Sequence, residues 1–189
     1  MKNISVNQVV KEKYKDYLKF MASPKSVKGP IRISKQKGNH HGSYLFTGDL
    51  YFDSTFIKCA ILNIEVNFTS NVGFSASIMS DDIQGKQLFR MDTKGGVHYN
   101  LIDENSSAYE KVVTLPHFHH FSKSGHFLAY QTNLLKDEGV KDDIQKGLSL
   151  FFAEANIQDA ETLGKPNVIL PSECKVYDPC CNVDFDDSK

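Results

Sequence analysis

Short segments rich in Ile, Val, Phe, Tyr and Thr follow one another through the middle of the chain, separated by Gly, Asn, Asp and Ser. Such residues favour strands, and no helix-length insertion lies between the segments. Consecutive strands of this kind pair antiparallel, because a parallel pair needs a long crossover. The predicted strands are residues 30–34, 43–52, 55–68, 72–80, 87–92, 98–101, 116–121 and 126–132.

A helical period flanks this β region on both sides. Between residues 6 and 21, apolar residues recur at three- and four-residue spacings, which predicts an amphipathic helix. A second helix is predicted around residues 144–152, although Gly147 costs it up to about 1 kcal/mol. We therefore predict an α+β fold, an antiparallel β-sheet or partly open barrel flanked by an N-terminal and a C-terminal helix. Residues 1–165 form one domain, and residues 166–189 form an extended acidic tail.

Composition narrows the classes of protein. A chain of 189 residues can bury the core of one domain, and it has no apolar stretch of the roughly 18 to 20 residues that a membrane helix needs. Its N-terminus is charged rather than signal-like, so we expect a cytoplasmic protein with no membrane partner. The four cysteines do not match a disulfide or CxxC zinc pattern, which favours unpaired thiols.

Charge is distributed unevenly along the chain. Residues 1–41 carry ten Lys and Arg against two Asp and Glu, whereas residues 136–189 carry six against twelve. This polarity can attract a polyanion to one end, or it can attract the two ends to each other and to neighbouring molecules.

The histidines are the most informative residues. Three of the seven lie in Pro116-His-Phe-His-His-Phe121, and His98 lies within about 20 residues of them. Alternate residues of a strand share a face, so His117 and His119 point the same way. His98 or Asp92 can complete the cluster if the strand of His98 pairs beside this one, and His126 is a further candidate.

Such a cluster supports two kinds of chemistry. Three neutral imidazoles can bind zinc or a similar ion and leave one position open for water. Alternatively, one neutral and one protonated imidazole can act as base and acid, as RNA cleavage through the 2′-hydroxyl requires, with Arg90 and Lys123 holding phosphate. Histidines that merely hydrogen-bond their neighbours on a strand are the structural alternative.

The same residues carry a resemblance to known families. The segment with Arg-x-Asp, Gly and His-x-Asn, followed by Pro-His-x-His, resembles a bacterial family catalogued only as a domain of unknown function (number 6978), over roughly residues 28–157. A shorter stretch is similar to the TumE-type toxins of bacterial toxin–antitoxin pairs. That similarity implies cleavage of nucleic acid and marks Arg90, Asp92, His98, His117 and His119. Residues 101–115, a polar insertion, and the chain beyond Lys165 depart from the pattern.

Three functional hypotheses follow. The first is a ribonuclease-like toxin that needs no metal, with His117 and His119 as the acid/base pair, His98 assisting, Arg90 and Lys123 binding phosphate, and Asp92 orienting a histidine. The second is a non-catalytic phage- or prophage-type protein that binds a bacterial defence or regulatory protein through its charged ends. The third is a zinc-binding protein with His98, His117 and His119 as ligands. The partner is accordingly RNA, an antitoxin or another bacterial protein, and the oligomeric state stays open.

Overall fold

The structure is a computed structural model that describes residues 6–35, 43–52, 57–68, 73–80, 86–100, 109–136, 140 and 143–171. The elements in chain order are α1 Gln8–Glu12, α2 Tyr14–Ala22, β1 Lys25–Val27, β2 Ile31–Arg32, β3 Ser34–Lys35, β4 Ser43–Phe52, β5 Ile57–Asn67, β6 Gly73–Ser80, β7 Lys86–Asp92, β8 His98–Tyr99, β9 Val112–Val113, β10 His117–Phe121, β11 Phe127–Tyr130, α3 Ile144–Glu154, β12 Ile157–Asp159 and β13 Val168–Ile169.

One nine-stranded sheet dominates the fold. Its strands run in the order β11-β10-β7-β6-β5-β4-β1-β12, and β3 pairs with β4. Every pair is antiparallel except β1 with β12. The predicted α+β class with an antiparallel sheet and helices near both ends is confirmed. Among the described residues the two outer strands, β11 and β12, do not pair with each other, so the sheet is open.

Some predicted elements differ from the structure. The N-terminal helix is interrupted at Lys13, whose φ of −103° and ψ of 30° lie outside the helical region. The expectation that each strand pairs with the next is wrong at β7, which pairs with β10. β8 instead forms a separate two-stranded ribbon with β9. Periodicity does not reveal this jump, because it reports which face a residue takes and not which strand lies beside it.

Helix α3 packs on one face of the sheet through aromatic side chains. The ring of Phe89 stacks against Phe118 on one side and Phe151 of the helix on the other, each with centroids 5.5 Å apart. Gly147 allows this close approach, because a Cβ there would lie 2.6 Å from Cε1 of Phe74. The glycine that weakens the helix in isolation is therefore required by its packing.

Helix α2 is tied to the sheet where β7 and β10 meet. The buried hydroxyl of Tyr17 donates to the carbonyl oxygen of Leu88 and accepts from the backbone N–H of Phe121, both at 3.1 Å. This single side chain satisfies polar groups on two neighbouring strands, which is how buried backbone groups avoid an energetic penalty.

The first residues of the predicted tail pair with a strand of the domain. β13 pairs in parallel with β2, so residues 168–169 are part of a two-stranded ribbon. Residues 172–189, which include Cys174, Cys180 and Cys181, lie outside the described residues. In the described part of the chain no helix is both long and apolar enough to cross a membrane.

Candidate metal centre

The pairing of β7 with β10 assembles most of the predicted site. Asp92 lies opposite His117, and Arg90 lies opposite His119 in the antiparallel register. Because residues opposite each other in a sheet point to the same side, all four side chains share one face. Phe118 and His120 take the other face, as the strand alternation predicts.

Three histidines converge on this face. The ring centroids of His117 and His119 are 4.6 Å apart, and His98 lies 4.7 Å from His119 and 5.9 Å from His117. One nitrogen from each ring can be chosen so that all three lie within 4.8 Å of one another. A tetrahedral ion about 2.0–2.1 Å from each nitrogen holds its ligands about 3.3 Å apart, so small ring rotations close the set around an ion.

A carboxylate fixes the orientation of His119. Oδ2 of Asp92 lies 3.1 Å from Nε2 of His119, while Nε and Nη2 of Arg90 both bind Oδ1 at 2.7 Å. An ionised carboxylate only accepts, so Nε2 of His119 carries the proton and Nδ1 holds a lone pair. That Nδ1 is buried and has no hydrogen-bond partner.

A backbone carbonyl fixes His117 in the same manner. Nδ1 of His117 donates to the carbonyl oxygen of Thr114 at 2.9 Å, so Nε2 holds the lone pair. Nε2 lies 4.0 Å from Oδ2 of Asp92, beyond hydrogen-bond distance. One ring proton thus goes to a carboxylate and the other to a carbonyl. This is the usual arrangement around metal-ligating histidines.

No family model, curated protein or solved structure matches the chain. The resemblance to the domain of unknown function and to TumE-type toxins therefore stays a prediction, and the function has to be argued from the site itself.

Burial sets the charge state of the cluster. The side chains of His117 and His119 are almost inaccessible, with 3% and 6% of their residue surface exposed. Burial lowers the pKa of His98 to about 4, and it lowers the pKa of His117 despite the hydrogen bond that His117 donates to Thr114. Both rings are neutral at pH 7, which is the form that binds metals.

The carboxyl group of Asp92 stays ionised within this buried site. Burial by itself raises the pKa of Asp92, but the hydrogen bond with His119 and the charge of Arg90 outweigh it, so the pKa lies below its usual value. A buried negative charge beside Arg90 is therefore available to polarise His119.

The structure does not bring every predicted residue to the cluster. Lys123 is exposed and lies on the turn that follows β10, whose last residue is Phe121. His126 follows the same turn, where its Nδ1 pairs with Ser124 Oγ at 3.1 Å. Arg90 is present, but Asp92 engages its guanidinium.

Two residues near the cluster have structural roles that were not predicted from the sequence. The Thr114 carbonyl that orients His117 could not be foreseen, since any residue offers a backbone carbonyl. Asn100 carried a signal, the His-x-Asn spacing, but it was not assigned a role. Its side chain is buried, with 4% exposed, and it binds both backbone groups of Ala129 at 2.8 Å.

Proposed function

We propose that the protein is a metal-binding protein that holds one divalent ion of the zinc type through His98, His117 and His119. The observation that supports this most strongly is that Asp92 and the carbonyl of Thr114 hold the ring protons of His119 and His117. It leaves the lone pair of His119 Nδ1 buried without a partner. An unpaired buried nitrogen costs about 1–3 kcal/mol, which an ion would offset.

Burial favours a small ion over a polynucleotide as the ligand of these rings. An acid/base pair that cleaves RNA must contact the reacting phosphodiester, yet His117 and His119 are 3% and 6% exposed. His98 is only partly buried, so solvent can reach the cluster from the side of His98. Neutral imidazole ligands suit zinc, copper, nickel and iron, and three protein ligands leave a position for water, as in catalytic zinc sites.

Metal analysis of untagged protein tests the proposal. We expect one zinc-type ion per chain after incubation with the metal and desalting, and Co²⁺ should give the intense visible bands of a four-coordinate site. His98→Ala, His117→Ala and His119→Ala should each weaken binding sharply while leaving a residual affinity from the other two ligands. His126→Ala is the matched control and should bind like the unmodified protein. Equal binding by all four variants, or no binding by the unmodified protein, contradicts the proposal.

A second candidate function, metal-free cleavage of RNA, is favoured by one observation. Asp92 orients His119 so that Nδ1 holds a lone pair, as a general base requires, and Arg90 lies beside them. We expect this activity, if it is the function, to persist in EDTA and to be lost in His119→Ala. Cleavage that appears only with added metal would assign the histidines to the ion instead.

A further inference from the structure

We infer that Asn100 is the positioning residue of the metal centre, because it holds the β8–β9 ribbon and hence His98 against the main sheet. This inference rests on the proposed function and deepens it. Among the three ligands, His117 and His119 share strand β10, whereas His98 belongs to a ribbon that is a separate sheet. Something must fix that ribbon at the distance and angle that the third ligand requires.

The side-chain amide of Asn100 binds the outer edge of β11 with the hydrogen bonds that the backbone of a neighbouring strand would otherwise make. Its Oδ1 accepts from the backbone N–H of Ala129, and its Nδ2 donates to the carbonyl oxygen of Ala129, both at 2.8 Å. The same Nδ2 donates to the carbonyl oxygen of Glu110 at 2.7 Å. The backbone N–H of Asn100 donates to the carbonyl oxygen of Lys111 at 2.9 Å. The side chain therefore joins both sides of the ribbon to the sheet.

The position of the Asn100–Ala129 hydrogen bonds explains why they would control the metal site. Ala129 lies directly opposite His119 in the pairing of β10 with β11. Asn100 therefore binds the residue that pairs with the ligand His119, and His98 is only two residues from Asn100 in the sequence. A shift of the ribbon along β11 would move His98 relative to His119 by the same amount.

An apolar contact also anchors the ribbon. Val113 lies opposite His98 in the ribbon and is fully buried. Apolar contact is non-directional, so it can keep the ribbon docked without fixing its register. Directional hydrogen bonds from Asn100 supply that register, and their loss should affect metal affinity more than folding.

A double-mutant cycle on metal affinity tests the inference, with Zn²⁺ titrated by competition against a chromophoric chelator. Asn100→Ala should weaken binding about 10- to 100-fold, the range seen when residues that orient metal ligands are removed. Asn100→Asp keeps the shape and one acceptor but cannot donate to Ala129 or Glu110, so it should weaken binding similarly. In a His98→Ala background, Asn100→Ala should have no further effect, since it acts only through His98.

Ser80→Ala is the matched control. Ser80 also uses a buried side chain to bind a backbone carbonyl, that of Cys59 at 3.0 Å, but it lies at the far end of β6. It should lower stability without changing metal affinity. Unchanged affinity in both Asn100 variants, or the same fold-loss with and without His98, overturns the inference alone. A failure of the proposed function is distinguishable, because then the unmodified protein and His98→Ala bind Zn²⁺ equally or not at all.

Discussion

Oδ2 of Asp92 lies 3.1 Å from Nε2 of His119, across the pairing of β7 with β10. The two residues are 27 positions apart in sequence, and their contact leaves the lone pair of His119 on Nδ1. Arg90 neutralises the carboxylate from the other side. Asp92 therefore orients a ligand, and its removal should affect the ion more than the overall fold.

Asp92→Asn should weaken Zn²⁺ binding about 10- to 100-fold, because the amide keeps the shape of the carboxylate but not its charge. The neutral side chain polarises His119 less and leaves Arg90 unpaired. Asp49→Asn provides the control, since Asp49 pairs with Lys58 on an exposed part of the sheet. The two affinities are compared by competition titration, and equal affinities would count against a role for Asp92.

Zinc should raise the melting temperature of the folded protein. An ion at about 100 times its Kd stabilises the state that binds it by about 2.7 kcal/mol. For a domain of this size, that corresponds to a rise in Tm of about 5–10 °C. Differential scanning fluorimetry measures the shift, which EDTA should reverse and His98→Ala should suppress. A similar rise with Mg²⁺, which prefers oxygen ligands, would point to a different site.

Gly147→Ala should destabilise the protein by about 1–3 kcal/mol, although alanine favours helices. The added Cβ would meet the ring of Phe74, which is only 1% exposed and cannot move into solvent. Urea denaturation measures the free energy of unfolding, and Ser149→Ala on the same helix is the control. Phe74→Leu should offset part of the loss in the double mutant; purely additive losses would exclude the steric explanation.

Lys25→Met should cost about 2–4 kcal/mol of unfolding free energy. The Lys25 ammonium is fully buried, and it donates to the carbonyl oxygens of Phe20, Met21 and Ser23 where α2 ends. Methionine fills a similar volume but leaves these acceptors without that donor. Lys28→Met, which removes the contact of an exposed ammonium with the ring of Tyr51, should change stability by less than about 1 kcal/mol. Comparable losses in both variants would show that the buried contacts are not the cause.

Stability should also depend on the titration of Lys25. Burial lowers the pKa of Lys25 from 10.5 to about 8. Between these two values the unfolded chain binds a proton that the folded chain lacks, so this group makes stability rise with pH across that window, by up to about 3 kcal/mol. Lys25→Met removes the effect, and the difference in unfolding free energy between the two proteins should widen from pH 8 to pH 10. A constant difference would contradict the lowered pKa.

Part of the site could be predicted from local pattern alone. The strand alternation places His117 and His119 on one face, and the antiparallel α+β class follows from short strand segments without helical crossovers. His98 and Asp92 were expected to join them if the strand of His98 paired beside β10, whereas β8 pairs with β9 and β7 lies beside β10. Lys123 was also named as a site residue, and it lies in the turn between β10 and β11, beyond the end of the strand that carries the histidines.

What the sequence by itself determined is the period of each segment, since that period depends only on the backbone geometry of strands and helices. The tertiary structure alone decided that β7 skips β8 to pair with β10, which puts Asp92 opposite His117. It also decided that Asn100 binds the ribbon that carries His98 to the sheet, and which nitrogen of His117 and of His119 is protonated. These features depend on contacts between residues far apart in the chain, and their free energies become available only when the whole sheet is assembled.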